Sequence, residues 1–346
     1  MRIAHLLFTK RFAGSERYAI DLANAQVEHH DVCFVLNQAA AQERPDAWAN
    51  RLDPRIQQFR MALPWLLPGL RTARWMKTWQ PDICHAHLSY ACKALSRVPA
   101  VGVATLHIAY KAHQHAHLDG LIAITPQQLA QIPATYAGRA VQIPNWSQPR
   151  VPDPGARERL RAAWGVGPQD WVVGTLGRSE RSKGWDLLVE AFLQAKLPDA
   201  RLVLVGDGAD WSDLRARAPA CVVMPGFTNE PENCLAAFDI FVSAARSEPF
   251  GLVFLEAMHA GLPIVATATE GATYLSETFD ALVPCENVEA LAAALARAHE
   301  ARTNGVEARR LHPVDRFSRT ERVSQIERFY LECLSDRRRR LSANAG

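Results

Sequence analysis

Two glutamates, Glu248 and Glu256, are separated by seven residues that begin Pro249-Phe250-Gly251. The apolar run Ile240–Ser243 ahead of them reads as a strand, and Gly251–Ala260 reads as a helix. This puts Glu248 in a strand-to-helix loop and Glu256 about two turns into the helix. A helix start offers unpaired N–H groups and a positive dipole end, which suit a phosphate. A carboxylate on the following turns can accept hydrogen bonds from a diol such as a ribose. An ordinary helix start with acids in its first turns would show the same spacing. A second group is Gly174-Thr175-Leu176-Gly177-Arg178-Ser179-Glu180-Arg181-Ser182-Lys183-Gly184, a strand running into a loop with glycines and placed cations. Gly177 lets a ligand approach the backbone, and Arg178 and Lys183 can neutralise a diphosphate. The spacing is neither G-x-G-x-x-G nor a Walker loop, which argues against dinucleotides and triphosphates. Lys10-Arg11-Phe12-Ala13-Gly14-Ser15-Glu16 follows the first strand and could add a phosphate-facing rim, although the residues by themselves read first as a plain loop-to-helix entry with an N-cap serine.

Other groups carry weaker signals. His113, His115 and His117 alternate, and His85, His87 and His107 lie elsewhere in the same half. Alternate histidines could share a strand face and hold a metal. The intervening Gln114 and Ala116 and the following Asp119-Gly120 read instead as a loop or short helix, so no metal is expected. Residues 61–79 set Trp65, Trp75 and Trp79 among Arg71, Arg74 and Lys77, a mixture that suits an anionic bilayer surface or a core-facing helix with a charged side. Arg337–Arg340 reads as a solvated basic tail.

The elements that must position these residues follow from length and pattern. The chain has 346 residues, 48% hydrophobic and 22% charged, which fits two globular domains and excludes disorder and fibrous repeats. Apolar runs alternate with helical stretches at Arg2–Phe8, Val32–Leu36, Ile83–Ala86, Val101–Leu106 and Gly120–Ile124. The alternation restarts at Val172–Leu176, Leu202–Val205, Val222–Met224, Ile240–Ser243 and Pro263–Ala266 after the proline-rich break Pro144–Pro154. The expected domains are 1–149 and 150–315, then a helix over 316–335 that needs a partner surface in its own or the first domain, then the tail 336–346. Each half reads as an α/β doubly wound sheet, with ligands at the carboxyl ends of its strands. The net charge of +3 argues for no nucleic acid, but it conceals 15 Lys/Arg against 9 Asp/Glu in residues 1–149 and 24 against 27 in the rest. Seven scattered cysteines without C-x-x-C spacing read as reduced thiols. The short N-terminal apolar run and the absence of an ~18-residue apolar stretch read as a cytoplasmic chain.

These motifs, in this order, resemble the family 4 retaining glycosyltransferases (glycosyl transferases group 1) of the GT-B fold, over nearly the whole chain. Pro81-Asp82-Ile83-Cys84-His85-Ala86-His87, Thr105-Leu106-His107, Gln142-Ile143-Pro144-Asn145, Val203–Gly208 and Pro225-Gly226-Phe227 add to the match. The resemblance implies two Rossmann-like domains facing a cleft, an acceptor-binding first domain and a second that binds a nucleotide-diphosphate sugar. It implies that Arg178 and Lys183 hold the diphosphate, Glu248 the sugar hydroxyls and Glu256 the ribose. Gly14, Gly177, Phe227 and the backbone from Phe250 through Gly251 and Leu252 to Val253 are then donor-binding, with His107 beside the sugar at the catalytic centre. It further implies retention without an enzyme nucleophile, no metal and no cofactor beyond the donor. The acceptor would be a glycan or glycolipid of the cell-envelope polysaccharide or lipopolysaccharide type, and the inner membrane face a candidate surface. Two departures are Ala13 in place of a second glycine, and Glu270-Gly271-Ala272-Thr273-Tyr274 in place of Gly-Gly-x-x-Glu. The alternatives are a nucleotide-sugar epimerase of the same architecture and a non-catalytic glycosyltransferase-like partner.

Overall fold

The computed structural model describes residues 1–44, 46–62, 68–305 and 309–345. The chain divides into two compact units: Met1–Trp146 with Arg319–Gly346, and Ser147–Ser318. The sequence marked the break within Pro144–Pro154, and the chain passes from one unit to the other between Trp146 and Ser147.

The first unit is built on seven parallel strands: β1 Arg2–Leu7, β2 Asp31–Asn37, β3 Gln57–Met61, β4 Ile83–His87, β5 Val101–Leu106, β6 Gly120–Ala123 and β7 Arg139–Gln142. Their spatial order is β3-β2-β1-β4-β5-β6-β7, so the order reverses beside β1. The central strands β4, β5 and β6 are buried along their whole length, as expected of a parallel sheet covered on both faces. This explains why β5 and β6 read as largely apolar runs, while β4 buries His85 and His87 along with its apolar residues. The unread strands of this sheet, β3 and β7, are its two edges. They carry polar, half-exposed residues because only one neighbour shields them.

The helix Arg319–Ala345 packs on this sheet. Val323, Ile326, Phe329, Tyr330 and Cys333 join Ile3, Ile83, Val101, Val103, Ile122 and Trp146 in one buried cluster. Burial of those five side chains contributes on the order of 10 kcal/mol before chain entropy is counted. Phe329 and Cys333 press on Gly120 so closely that a Cβ there would lie 2.7 Å from the Cys333 sulfur. The helix continues through the stretch read as a tail. Arg337 donates to Asp119 Oδ2 at 2.8 Å and to the Ala100 carbonyl at 2.7 Å, and Arg340 donates to Asp119 Oδ1 at 2.8 Å. Two of the four arginines are thus ion-paired to the end of the sheet rather than simply solvated. With this helix included, the first unit holds 22 Lys/Arg against 13 Asp/Glu, and the second 17 against 23.

Helix Pro68–Trp79 buries Thr72, Ala73 and Met76 and exposes Arg71, Arg74 and Lys77. Trp75 stacks on Phe59 with ring centroids 4.6 Å apart, and the Arg2 guanidinium lies 4.7 Å over Trp79. Both tryptophans therefore pack within their own unit; Trp65 lies outside the described residues.

The second unit is built on six parallel strands: β8 Trp171–Leu176, β9 Ala200–Val205, β10 Val222–Gly226, β11 Ile240–Ser243, β12 Ile264–Thr267 and β13 Ala281–Val283. Their order is β10-β9-β8-β11-β12-β13, again with a reversal, here beside β8. The unread strand β13 is an edge. The core gathers Trp171, Val173, Trp185, Leu188, Leu202, Leu204, Val242, Val265 and Leu295, contributed by the strands and the helices that cross between them.

Candidate active site

In the second unit the predicted residues collect on loops that leave the carboxyl ends of β8 and β11. Lys183 closes a short 3-10 turn, Arg181–Lys183, and its Nζ donates to Glu248 Oε2 at 2.5 Å. Both side chains are largely covered, 25% and 13% exposed, which strengthens the attraction over that of a surface pair. An ammonium has three N–H donors and a carboxylate several lone pairs, so each partner keeps capacity for a ligand. Arg178 is different: it pairs with Glu180 at 2.8 Å and remains 58% exposed.

Glycines permit this geometry. Gly184 has φ of +63°, and a Cβ there would sit 2.0 Å from the Ala244 carbonyl oxygen. Gly206 has φ of +139°, and a Cβ would fall 1.8 Å from the Gly177 oxygen. The loop after β8 is thereby clamped to the loop after β9: Ser179 N donates to the Asp207 carbonyl at 2.9 Å and Asp210 N donates to the Ser179 carbonyl at 3.0 Å. Gly177 itself faces open space.

Gly251, at φ +82°, ends the loop that carries Glu248, and the helix runs Leu252–His259 with no side chain capping its start. Its first N–H groups are left for a ligand. Glu256 is the fifth residue of that helix, one turn in rather than two, because helical geometry begins only at Leu252. The Phe250 side chain is buried, so only its backbone can serve a ligand. Gly271, which sequence reasoning did not single out, holds this loop from behind. Its N–H donates to the Glu248 carbonyl at 2.9 Å, and a Cβ would stand 2.1 Å from the Phe250 oxygen. The signal was present as the glycine retained in Glu270-Gly271. Tyr274, in place of the acid, packs edge-on near Phe317 and tilted against Phe250. Phe227 follows β10 and is 43% exposed.

In the first unit Gly14 opens helix Gly14–Gln26 and is exposed, with Lys10 and Arg11 exposed before it. Ala13 lies in extended backbone at φ −153°, so the alanine in place of glycine costs nothing in conformation. His107 follows β5. Its Nε2 lies 3.2 Å from His87 Nδ1. His87 Nε2 lies 3.2 Å from His5 Nδ1, and His5 Nε2 lies 2.9 Å from Gln26 Oε1. His85 bonds Tyr330 OH at 2.6 Å and Thr105 Oγ1 at 2.8 Å. Burial pushes His5 and His107 down to about 4 and holds His85 and His87 well below the ordinary imidazole range. Sequence reasoning missed His5 and Gln26, and it gave Thr105 and Tyr330 no part in a histidine network; the available clue was a histidine inside the apolar run Arg2–Phe8.

The alternating histidines do not converge. His113 meets Gln114, His115 Nδ1 accepts from Lys111 N at 2.9 Å, and His117 Nε2 bonds the Cys92 carbonyl at 3.0 Å. Among the described residues a different trio, His5, His85 and His87, has ring nitrogens within 4.8 Å of one another. Both nitrogens of each are already in hydrogen bonds, and the rings of His85 and His87 stack 4.4 Å apart at 25°. An imidazole binds a metal in its ring plane, and stacked rings do not aim lone pairs at one point.

Comparison with known proteins gives this geometry its context. Residues 12–173 match the family described as Glycosyltransferase Family 4, and residues 170–301 match Glycosyl transferases group 1. The chain is 27% identical over 322 residues to the lipopolysaccharide core biosynthesis glycosyltransferase LpsD of Rhizobium meliloti, covering 86% of this chain and 88% of that protein. Its fold is similar to that of Anabaena HepE, solved in complex with UDP and glucose, at TM-score 0.78 and 21% identity over 96% of this chain and all of that one. It is also similar to WaaG, a glycosyltransferase involved in lipopolysaccharide biosynthesis, at TM-score 0.69 and 19% identity over 88% and 92% of the two chains. With two matched regions that together run from 12 to 301 and two parallel sheets of the GT-B type, the chain belongs to the family 4, group 1 glycosyltransferases.

Proposed function

We propose that this glycosyltransferase moves a sugar, with retention of configuration and without a divalent metal, from a nucleoside-diphosphate sugar to a lipopolysaccharide-core or related cell-envelope glycan. The observation that carries the reading is the Lys183–Glu248 pair beside the uncapped helix start at Gly251. Glycosyl transfer develops positive charge on the sugar and negative charge on the departing diphosphate. Lys183, Arg178 and the N–H groups of Gly251, Leu252 and Val253 are suited to the diphosphate, and Glu248 to sugar hydroxyls. Glu256 would take the ribose, while Gly14, Gly177 and Phe227 would line the donor. His107 would lie beside the sugar. With cations and a helix dipole supplying the countercharge, no metal or cofactor is needed. The attack then comes from the face the diphosphate leaves, and its phosphate oxygen takes the acceptor proton.

The relatives LpsD and WaaG, named for lipopolysaccharide synthesis, and HepE, solved with UDP and glucose, favour a uridine-diphosphate donor and such an acceptor. The exposed Arg71, Arg74 and Lys77, on the more basic unit, favour peripheral contact with an anionic membrane from the cytoplasmic side. No helix among the described residues is long and apolar enough to cross a membrane.

A panel of nucleotides and nucleotide sugars tested by thermal shift identifies the donor, because a ligand of the folded state raises Tm. Proton NMR of the product then reads the anomeric configuration, and EDTA tests the metal. An inverted product or EDTA-sensitive turnover overturns those two parts of the reading. Flotation with anionic liposomes tests the membrane part, and no binding at moderate salt overturns it.

A further inference from the structure

The hydrogen-bond chain behind His107 has a direction. A neutral imidazole carries one N–H and one lone pair, so each bond between two neutral imidazoles needs one ring to donate and the other to accept. Fixing one end of such a chain fixes every member. Gln26 sits at the deep end, fully buried, with its carbonyl oxygen Oε1 toward His5. An amide oxygen only accepts, so the His5 proton lies on Nε2 and Nδ1 keeps its lone pair. His87 must then donate from Nε2 to His5 and accept at Nδ1, and His107 must donate from Nε2 to His87. Three protons serve three rings, and His107 Nδ1 is left with its lone pair. Among the described residues His107 Nδ1 has no hydrogen-bond partner, and His107 is the part-exposed member of the chain, just past the carboxyl end of β5.

We infer that Gln26, His5 and His87 are positioning residues that hold the His107 proton on Nε2, so that Nδ1 is presented as a hydrogen-bond acceptor to a sugar hydroxyl. This rests on the reading that His107 stands beside the transferring sugar. The low proton affinity of the buried rings agrees with it, since a charged member would donate from both nitrogens and destroy the direction. The same low affinity makes His107 an acceptor that orients a hydroxyl, not a store for its proton. His85 stands outside the chain: it stacks on His87 but spends its nitrogens on Tyr330 and Thr105. A chain that served packing alone would need no ordered polarity ending at a part-exposed ring.

The test uses the full-length protein labelled with nitrogen-15 histidine, with the His107 signals assigned by their loss in His107→Ala. The expected wild-type spectrum shows His107 protonated at Nε2 and bare at Nδ1. Gln26→Met keeps the length of the side chain and removes the acceptor, so the opposite His107 tautomer should become populated. In that variant kcat should fall by about 10- to 100-fold, by analogy with losing the outer partner that orients a metal-bound imidazole, with the donor KM within about twofold. Tyr136→Phe is the control. It removes the 2.9 Å bond from the Tyr136 hydroxyl to the Leu118 carbonyl, elsewhere in the same unit, and should lower Tm while leaving the His107 tautomer and kcat unchanged. A wild-type His107 protonated at Nδ1 overturns the inference, whatever becomes of Gln26→Met. So does a Gln26→Met protein with the wild-type tautomer, or an equal kcat loss in Tyr136→Phe. The tautomer measurement needs no substrate. If His107→Ala turns over normally, the placement of His107 at the sugar fails instead, and the two failures stay distinct.

Discussion

The two units solve the same problem, polar side chains near the end of a parallel sheet, in opposite ways. In the second unit Lys183, Glu248 and Arg178 are on loops, paired as ions, and held there by glycines that let backbones approach within the space of a missing Cβ. In the first unit the polar groups, His5, His85 and His87, project from the strands themselves and are fully buried. Burial strips their charge, and hydrogen bonds then decide which nitrogen holds each proton. Loops near water can carry the charge that a diphosphate requires; a sheet interior can carry only neutral, directional groups.

That contrast breaks most visibly if charge is removed from the second unit. Arg178→Ala combined with Lys183→Ala should lower kcat/KM by roughly a thousandfold or more, since single donors to developing anionic charge contribute ~3–4 kcal/mol. Near-normal turnover by steady-state assay would dissolve the distinction between the units.

Acid should act on the first unit instead. His5 and His107 titrate near 4 when folded and near 6.5 when unfolded. Between those values the unfolded chain binds more protons, so stability is full above about pH 6.5 and falls as pH drops toward 4. The loss amounts to roughly 3 kcal/mol for each of these two rings. Calorimetry across pH 7 to 4.5 checks it, and a flat Tm would show that the rings are not neutral because of burial.

Gly206→Ala should destabilise the second unit by about 2 kcal/mol, because its Cβ meets the Gly177 carbonyl in a backbone conformation that side chains rarely adopt. Urea unfolding measures this. Tyr330→Phe should cost the first unit about 1–2 kcal/mol, leaving His85 Nδ1 buried without its partner. The smallest effect belongs to Arg340→Ala. Its bond to Asp119 is on the surface and Arg337 holds the same carboxylate, so a change under about 1 kcal/mol is expected.

Much of the second unit's site was legible because loop chemistry is local. Glu248, Gly251 and Lys183 lie within short stretches whose spacing already implies a strand, a tight turn and a helix start. The central strands were legible for the same reason, since full burial writes an apolar run into the chain. Edge strands β3 and β7 escaped because half-exposed polar residues interrupt any such run, and β13 because its three residues are too few to stand out. The depth of Glu256 in its helix was misjudged by nearly a turn, since an uncapped glycine start leaves no residue to mark it. The arginines of 337–340 looked like a tail because their partner, Asp119, stands more than two hundred residues away.

The sequence by itself determined two doubly wound halves, the break between them, the loop residues suited to a diphosphate and the family. Those features depend on periodicity and on neighbours close along the chain. Only the tertiary structure decided that the last helix completes the first unit, that Gly271 braces the Glu248 loop, and that Gln26, His5, His87 and His107 form one directed chain. Gln26 and His107 are separated by eighty-one positions and joined only through side chains on β1 and β4. Which nitrogen of a buried ring holds its proton depends on what lies across the sheet, and no local pattern records that.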